Sequence, residues 1–253
     1  MRPRVPTTVH PGRVLIGAAQ RRPVSSWSLR EEDRATGRGR VFSREFKLSV
    51  VRQVASGENQ LRRRFVVTTD SRHDLRIYPN LAGFEPTRPD QLWVADITYI
   101  RLPTTFVYLA CVLGAWSRRC IGWHLSQIID TRLTLAALEE AIASRCPAAG
   151  LIHHSDRGVQ YASGDYLARL KGIGAHISMA AVGNPYENAK AESFFKTLKY
   201  EEVYLQHYRT FAEAEANLDR FIAEVYNAKR LHSGLGSVPP AEFEAARLGI
   251  GQD

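Results

Sequence analysis

Cysteine is scarce in this chain: Cys111, Cys120 and Cys146 are the only three in 253 residues, and they form neither a CxxC pair nor a Cys/His ladder. That pattern excludes a disulfide framework and a structural zinc site, and leaves the three thiols as small apolar residues expected to be buried. Long apolar runs are missing too. The longest, Phe106 to Trp116, is about half the ~20 residues that a membrane helix needs. The first residues lack the apolar segment of a signal peptide, so the expected setting is cytoplasmic, with no membrane partner. No internal repeat is present. Hydrophobic residues at 44% are enough for one substantial core.

An excess of acid is absent as well, and the first part of the chain has far too little to balance its base. Residues 1–90 carry 18 Lys and Arg against 9 Asp and Glu, whereas residues 91–253 carry 16 against 17. The whole net charge of +8 is therefore N-terminal in origin, which points to a polyanionic partner met by that end.

The organisation follows from composition and periodicity. Residues 1–41 are rich in Arg, Pro, Gly, Ser and Thr without apolar periodicity, and are expected to be a disordered basic segment. Residues 42–60 hold one amphipathic helix, capped by Ser43, with Phe46, Val50 and Val54 on one face and Gly57 as its stop. Residues 61–90, opened by Leu61-Arg62-Arg63-Arg64, read as a basic extended linker.

From residue 91 to residue 248 the pattern is that of an α/β domain. LWVADITYIRL, FVYLACVLG and RRCIGWHLS are three strands joined by short links, hence an antiparallel meander. A helix capped by Thr131 runs to Ser144, LIHHS is a short strand ending at Asp156, residues 163–171 form a helix, and AHISM is a fifth strand. Asn184-Pro185 opens a helix through Lys199, and Thr210 with Glu213 makes a capping box before a last long helix. The order βββαβαβα is that of the ribonuclease H-like architecture, a five-stranded mixed sheet flanked by helices. Trp93, Trp116 and Trp123 read as core.

Three acids stand out within that order. Asp96 lies in the middle of an otherwise apolar strand, where a carboxylate is costly unless it is paired or holds a cation. Asp156 closes the fourth strand, and Glu192 lies on a helix. Carboxylates of this kind, brought together from separate elements, suit a pair of Mg²⁺ ions promoting in-line phosphoryl displacement. Lys196 and Lys199 follow Glu192 by four and seven residues, so they share its face and could neutralise DNA phosphates.

The segments DQLWVADITYI, HHSDRGVQYAS, GNPYENAKAESFFKTLK and VYNAKRLHSGLGSVPPAEFE closely resemble the insertion-sequence-three family of transposases, in the reading frame with the retroviral-integrase catalytic core. The resemblance covers about residues 62–247. In that family 35 residues separate the second and third acids, as they do here between Asp156 and Glu192. The resemblance therefore implies a catalytic and metal-holding triad of Asp96, Asp156 and Glu192. It also implies Mg²⁺ as cofactor, with Mn²⁺ substituting, DNA ends and target as partners, and a homo-oligomer on DNA. The implied reaction is DNA cleavage exposing a 3′-hydroxyl, followed by attack of that hydroxyl on a phosphodiester. His154, Ser155, Gln160 and Tyr161 match the motif around the second acid, Asn184 and Tyr186 shape the loop entering the catalytic helix, and Asn227, Arg230 and His232 are expected to brace the core.

The chain departs from the family in two places. Residues 42–58 resemble only the first helix of the upstream helix-turn-helix, and join directly to sequence resembling the interior of the second frame, as a deletion fusing two frames would leave them. The recognition helix is missing from that module. Gly114 stands where the family generally has Asp. Two further readings remain open: a remnant that only binds nucleic acid, through Arg62, Arg63, Arg64 and the other N-terminal cations, or a ribonuclease H-like nuclease.

Overall fold

A computed structural model describes residues 73–81, 83–180 and 189–249. The expected disordered segment of residues 1–41, the helix of residues 42–60 and Arg62, Arg63 and Arg64 lie outside the described residues, as do Asn184, Pro185 and Tyr186.

The sheet is assembled from β1 (Leu92–Arg101), β2 (Phe106–Gly114), β3 (Cys120–Ser126), β4 (Ile152–Ser155) and β5 (His176–Met179), in the spatial order β3-β2-β1-β4-β5. The first three pair antiparallel, as the short connections require, while β4 and β5 run parallel to β1. Both faces are covered, and β1 shows why: its alternate residues feed two different cores. Leu92, Val94 and Ile100 join the layer that contains Ala191, Phe194, Leu198, Leu218, Phe221 and Tyr226. Trp93, Ala95 and Ile97 join the layer of Leu133, Ala137, Leu138, Tyr166 and Leu170.

The second layer is made by α1 (Thr131–Arg145) and α2 (Gly164–Gly172). The cap of α1 differs by one residue from expectation: Asp130, not Thr131, has extended backbone and accepts the Leu133 N–H at 3.2 Å. A carboxylate at that position satisfies an orphan donor and also favours the positive end of the helix dipole. Helix α1 lies so close to β3 that a Cβ on Gly122 would sit 2.3 Å from the Ala137 carbonyl oxygen, so no larger residue fits there. Its last turn ends at Cys146 in left-handed backbone, with the thiol exposed. The expectation of three buried cysteines thus fails at Cys146, which serves as a helix terminus; Cys111 and Cys120 are buried. Trp93 is fully buried, while Trp116 and Trp123 are only partly so.

The first layer is made by α3 (Ala189–Leu198), which continues as a π-helical turn to Val203, and by α4 (Phe211–Arg220), which continues likewise to Asn227. The capping box holds: Thr210 Oγ1 accepts the Glu213 N–H at 3.1 Å. The returning Glu213 carboxylate accepts from the Arg209 N–H at 2.8 Å, one residue earlier than the usual box. A further helix, α5 (Pro240–Leu248), was not anticipated as an element of its own; Pro at its first position and left-handed Gly249 at its end delimit it. Among the described residues no helix is long and apolar enough to cross a membrane.

Candidate active site

Strand β4 is short and pairs with β1 only over Leu92–Val94. The last pair joins Val94 to His154. Two residues beyond that pair, on each side of it, stand Asp96 and Asp156, so the parallel register carries the second acid alongside the first. The pleat's alternation turns Asp96, like Val94, toward the layer containing α3. Here the chain leaves β1 for the meander on one side and β4 for β5 on the other, the switch point of the sheet where open α/β folds place their sites.

Each aspartate is held by backbone. Asp96 Oδ1 accepts the N–H of Ile97 at 2.8 Å, and Asp156 Oδ1 accepts the N–H of Gly158 at 2.9 Å. The loop after Asp156 is braced from several directions. Arg157 donates from Nε to the Ala180 carbonyl at 2.7 Å, and the Arg157 carbonyl lies 2.7 Å from Nε2 of His73. Gly158 offers its carbonyl to the N–H groups of Tyr161 and Ala162, both at 3.0 Å. Behind the loop, buried His154 Nδ1 meets Ser178 Oγ at 2.8 Å and His153 meets the Tyr166 hydroxyl at 3.0 Å. His154, Ser155, Gln160 and Tyr161 are all buried. Burial, with the neighbouring His154 adding to it, pushes the His153 imidazole down to about 3, so it packs as a neutral ring.

Electrostatics ties the three acids together. Asp96 keeps partial solvent access. Even so, burial of its surroundings first, then the charge of Asp156, and with a smaller share that of Glu192, push its carboxyl from an ordinary 3.8 up to about 8. The Ile97 N–H and Lys199 oppose that shift without cancelling it. Glu192 itself is exposed on the first turn of α3. Among the described residues no three His, Cys, Asp or Glu side chains converge tightly enough to grip a metal ion. Glu192 acts on Asp96 through its charge.

The two lysines expected beside Glu192 differ. Lys196 is exposed. Lys199 is partly buried, with Nζ 4.7 Å from the centroid of the Tyr99 ring, and burial lowers its pKa while Asp96 opposes that. Sequence reasoning missed Tyr99 as its platform; the contact joins a strand and a helix 100 residues apart, and no local spacing announces it. The expected braces of the core are visible as contacts. Asn227 exchanges two hydrogen bonds with the backbone of Cys120, at 3.0 and 2.9 Å, and Arg230 grips Glu201 with two bonds of 2.8 Å. His232 packs edge-on against Tyr226. At Gly114 a Cβ would lie 3.5 Å from Ser117 Oγ, an ordinary contact.

The integrase core domain family matches this chain over residues 86–185 and again over 173–240. The 31 kDa protein of insertion element IS600 from Shigella sonnei is 41% identical over 186 residues, 72% of this chain and 68% of that protein. Transposase InsF for insertion sequence IS3A of Escherichia coli is 38% identical over 188 residues, 74% of this chain and 65% of its own length. The chain thus spans about two thirds of the length of the curated relatives it matches. In three dimensions it is similar to a chain of the simian T-cell lymphotropic virus intasome in complex with PP2A regulatory subunit B56 gamma. That likeness has a TM-score of 0.52 at 15% identity, covers 70% of this chain and 61% of the other, and shows a shared fold. By sequence similarity across most of its length and by the fold, the chain belongs to the insertion-sequence-three family of transposases, those with an integrase catalytic core.

Proposed function

We propose that this chain is a DDE transposase that cleaves DNA and transfers the resulting strand in a metal-dependent reaction, with Asp96, Asp156 and Glu192 as its catalytic and metal-holding residues. The observation that carries the reading is Asp96: a carboxylate on the central strand of the sheet, with Asp156 and Glu192 acting on it from two other elements. A group in that setting is destabilised in its charged form until a cation arrives. The donor set is chemically suited to Mg²⁺ or Mn²⁺, being all hard carboxylate oxygen with an excess of negative charge. When bound, the metal would supply Lewis-acid activation of the attacking oxygen and charge stabilisation at the leaving one.

The chain's own residues do the rest. The Ile97 and Gly158 N–H groups fix one oxygen of each aspartate, so the carboxylates are oriented before anything binds. Glu192, exposed on the first turn of α3, would complete the set. Lys196 lies on the same stripe and neutralises phosphates, while Lys199, set on Tyr99, holds a positive charge beside Asp96. We assign Arg62, Arg63 and Arg64 to the DNA as well, and the domain limits at residues 41, 60 and 90 belong to this same proposal. A homo-oligomer assembled on DNA ends is the expected working form, in the cytoplasm at the nucleoid.

The test is strand transfer by the full chain on pre-cleaved oligonucleotides carrying candidate element ends, with Mg²⁺ or Mn²⁺. Activity that Asp156→Asn abolishes establishes the centre. A folded, DNA-binding chain with no activity in either metal would leave the remnant reading, and cleavage of an RNA–DNA hybrid in place of DNA would establish the nuclease.

A further inference from the structure

The helix that carries Glu192 does not end its exposed stripe there. Glu192, Lys196, Tyr200 and Tyr204 succeed one another at intervals of four residues, and all four are exposed. The opposite side of the same segment is committed to the core through Ala191, Phe194, Phe195, Leu198 and Glu202. Steps of four keep neighbours on one face of an α-helix but drift slowly around it. The π-helical turn over Lys199–Val203, in which the Tyr204 N–H bonds the Lys199 carbonyl at 2.9 Å, has more residues per turn and brings Tyr204 back toward the line.

Both rings are unusually open for their size: Tyr200 is 51% and Tyr204 52% exposed. They stand edge to face, 5.4 Å between centroids, so each holds the other's orientation. The bidentate Arg230–Glu201 pair pins the segment to the end of the neighbouring helix. Two large rings, each about half exposed and set edge to face, thus continue a row that begins with an acid and a lysine.

We propose that Tyr200 and Tyr204 form a stacking platform for nucleic-acid bases, continuing the track that Glu192 and Lys196 begin. This rests on the strand-transfer reading and extends it to the DNA leaving the site. Interleaved base and aromatic along one groove or ridge is the usual construction for single-stranded or splayed nucleic acid, since lysine meets the phosphates and every base offers a ring face. The occupant is therefore a DNA end whose last bases are unpaired. A second protein copy fits less well, because Tyr200, Tyr204 and the neighbouring exposed Leu205 together fall short of the ~800 Å² per partner that a stable interface buries.

The full chain is tested as wild type, Tyr200→Ala/Tyr204→Ala and Tyr200→Phe/Tyr204→Phe, and as Lys196→Ala. Binding is measured to one labelled duplex and to the same duplex with a short unpaired end, at two salt concentrations, with sedimentation and circular dichroism run on every variant. The alanine pair is expected to lose about tenfold in affinity for the splayed end and little for the blunt duplex, with salt dependence unchanged. The phenylalanine pair keeps wild-type binding, since the ring and not the hydroxyl is used. Lys196→Ala weakens both DNAs and lowers the salt slope by about 1. Equal binding of both DNAs by wild type and alanine pair overturns the platform, and so does a change in oligomeric state as the only effect. Loss of strand transfer in wild type with the splayed-end preference intact would overturn the functional reading and leave the platform standing.

Discussion

Two acids from different parts of the fold, Asp96 on β1 and Glu244 on α5, meet opposite fates. Glu244 is 4% exposed and has every partner it needs. Burial alone would raise its pKa, but the Ser117 hydroxyl at 2.6 Å, together with Arg145 and Arg119 at 2.9 Å each, outweighs burial and holds the carboxyl below its ordinary value. Arg145 also reaches Asp90, which accepts the Trp93 indole N–H, so one ionic hub fastens α5 to the end of the sheet and to α1. Asp96 meets other acids, with Lys199 as the opposing cation among the described residues, and is pushed up to about 8. A carboxylate with cationic partners built in is a structural bond. One surrounded by its own kind is poised for an ion from outside.

The sharpest test of that contrast is a pair of isosteric substitutions. Asp96→Asn is expected to bring strand transfer to background while leaving the thermal midpoint unchanged or higher, because it removes a charge the fold resists. Glu244→Gln should do the reverse, with strand transfer retained in the folded fraction and stability down by about 3 kcal/mol, since Arg145 and Arg119 lose their anion. Calorimetry beside the activity assay reads both, and a large loss of stability in Asp96→Asn would erase the distinction.

The pH dependence comes with a definite sign. Below about 4 Asp96 is protonated in both folded and unfolded chains. Between about 4 and about 8 the unfolded chain has released the proton and the folded chain still holds it, so this group's effect is a stability that declines as pH rises through that window and levels off above it. Glu244 has the opposite sign: its contribution is present above the ordinary glutamate range and is lost as pH falls through it. Urea midpoints from pH 4 to 9 should therefore show a decline in wild type that Asp96→Asn lacks. In the proposed role of Asp96 as a metal ligand, binding displaces its proton, so Mn²⁺ affinity should rise with pH up to about 8.

Smaller effects are expected at Thr210 and Gly114. Thr210→Ala should cost about 1 kcal/mol by removing the cap of α4, read from the urea midpoint. Gly114→Ala should change stability by less than that, because its Cβ finds ordinary contacts at Ser117 and Arg119. A loss of several kcal/mol at Gly114 would show that the turn into β3 tolerates no side chain.

Much of the fold was legible along the chain because its signals are local. Alternation marked β1, β2 and β3, Thr210 marked a helix start, and Asp156 fell at the end of its strand. The acids were conspicuous for a similar reason, Asp96 above all, since an ionisable group inside an apolar strand needs a cause. Less legible were Asp130 as the cap of α1, because Thr131 beside it caps almost as well, and Cys146, whose place at a helix end depends on where α1 stops. Helix α5 was passed over because its amphipathic stripe is short, and its anchor, Glu244, shows only when Arg119 and Arg145 arrive from elsewhere.

By itself the sequence determined the strand and helix order, the basic N-terminal bias, the candidate acids and, through its motifs, the family. Those rest on periodicity, composition and spacing, which act between near neighbours. The tertiary structure decided which acids are in electrostatic reach of one another, which lysine rests on an aromatic ring, and which tyrosines are left facing water. Those depend on register across the sheet, on the burial that raises Asp96, and on a π-helical turn that re-aims Tyr204, and each is a relation between elements that the linear order leaves open.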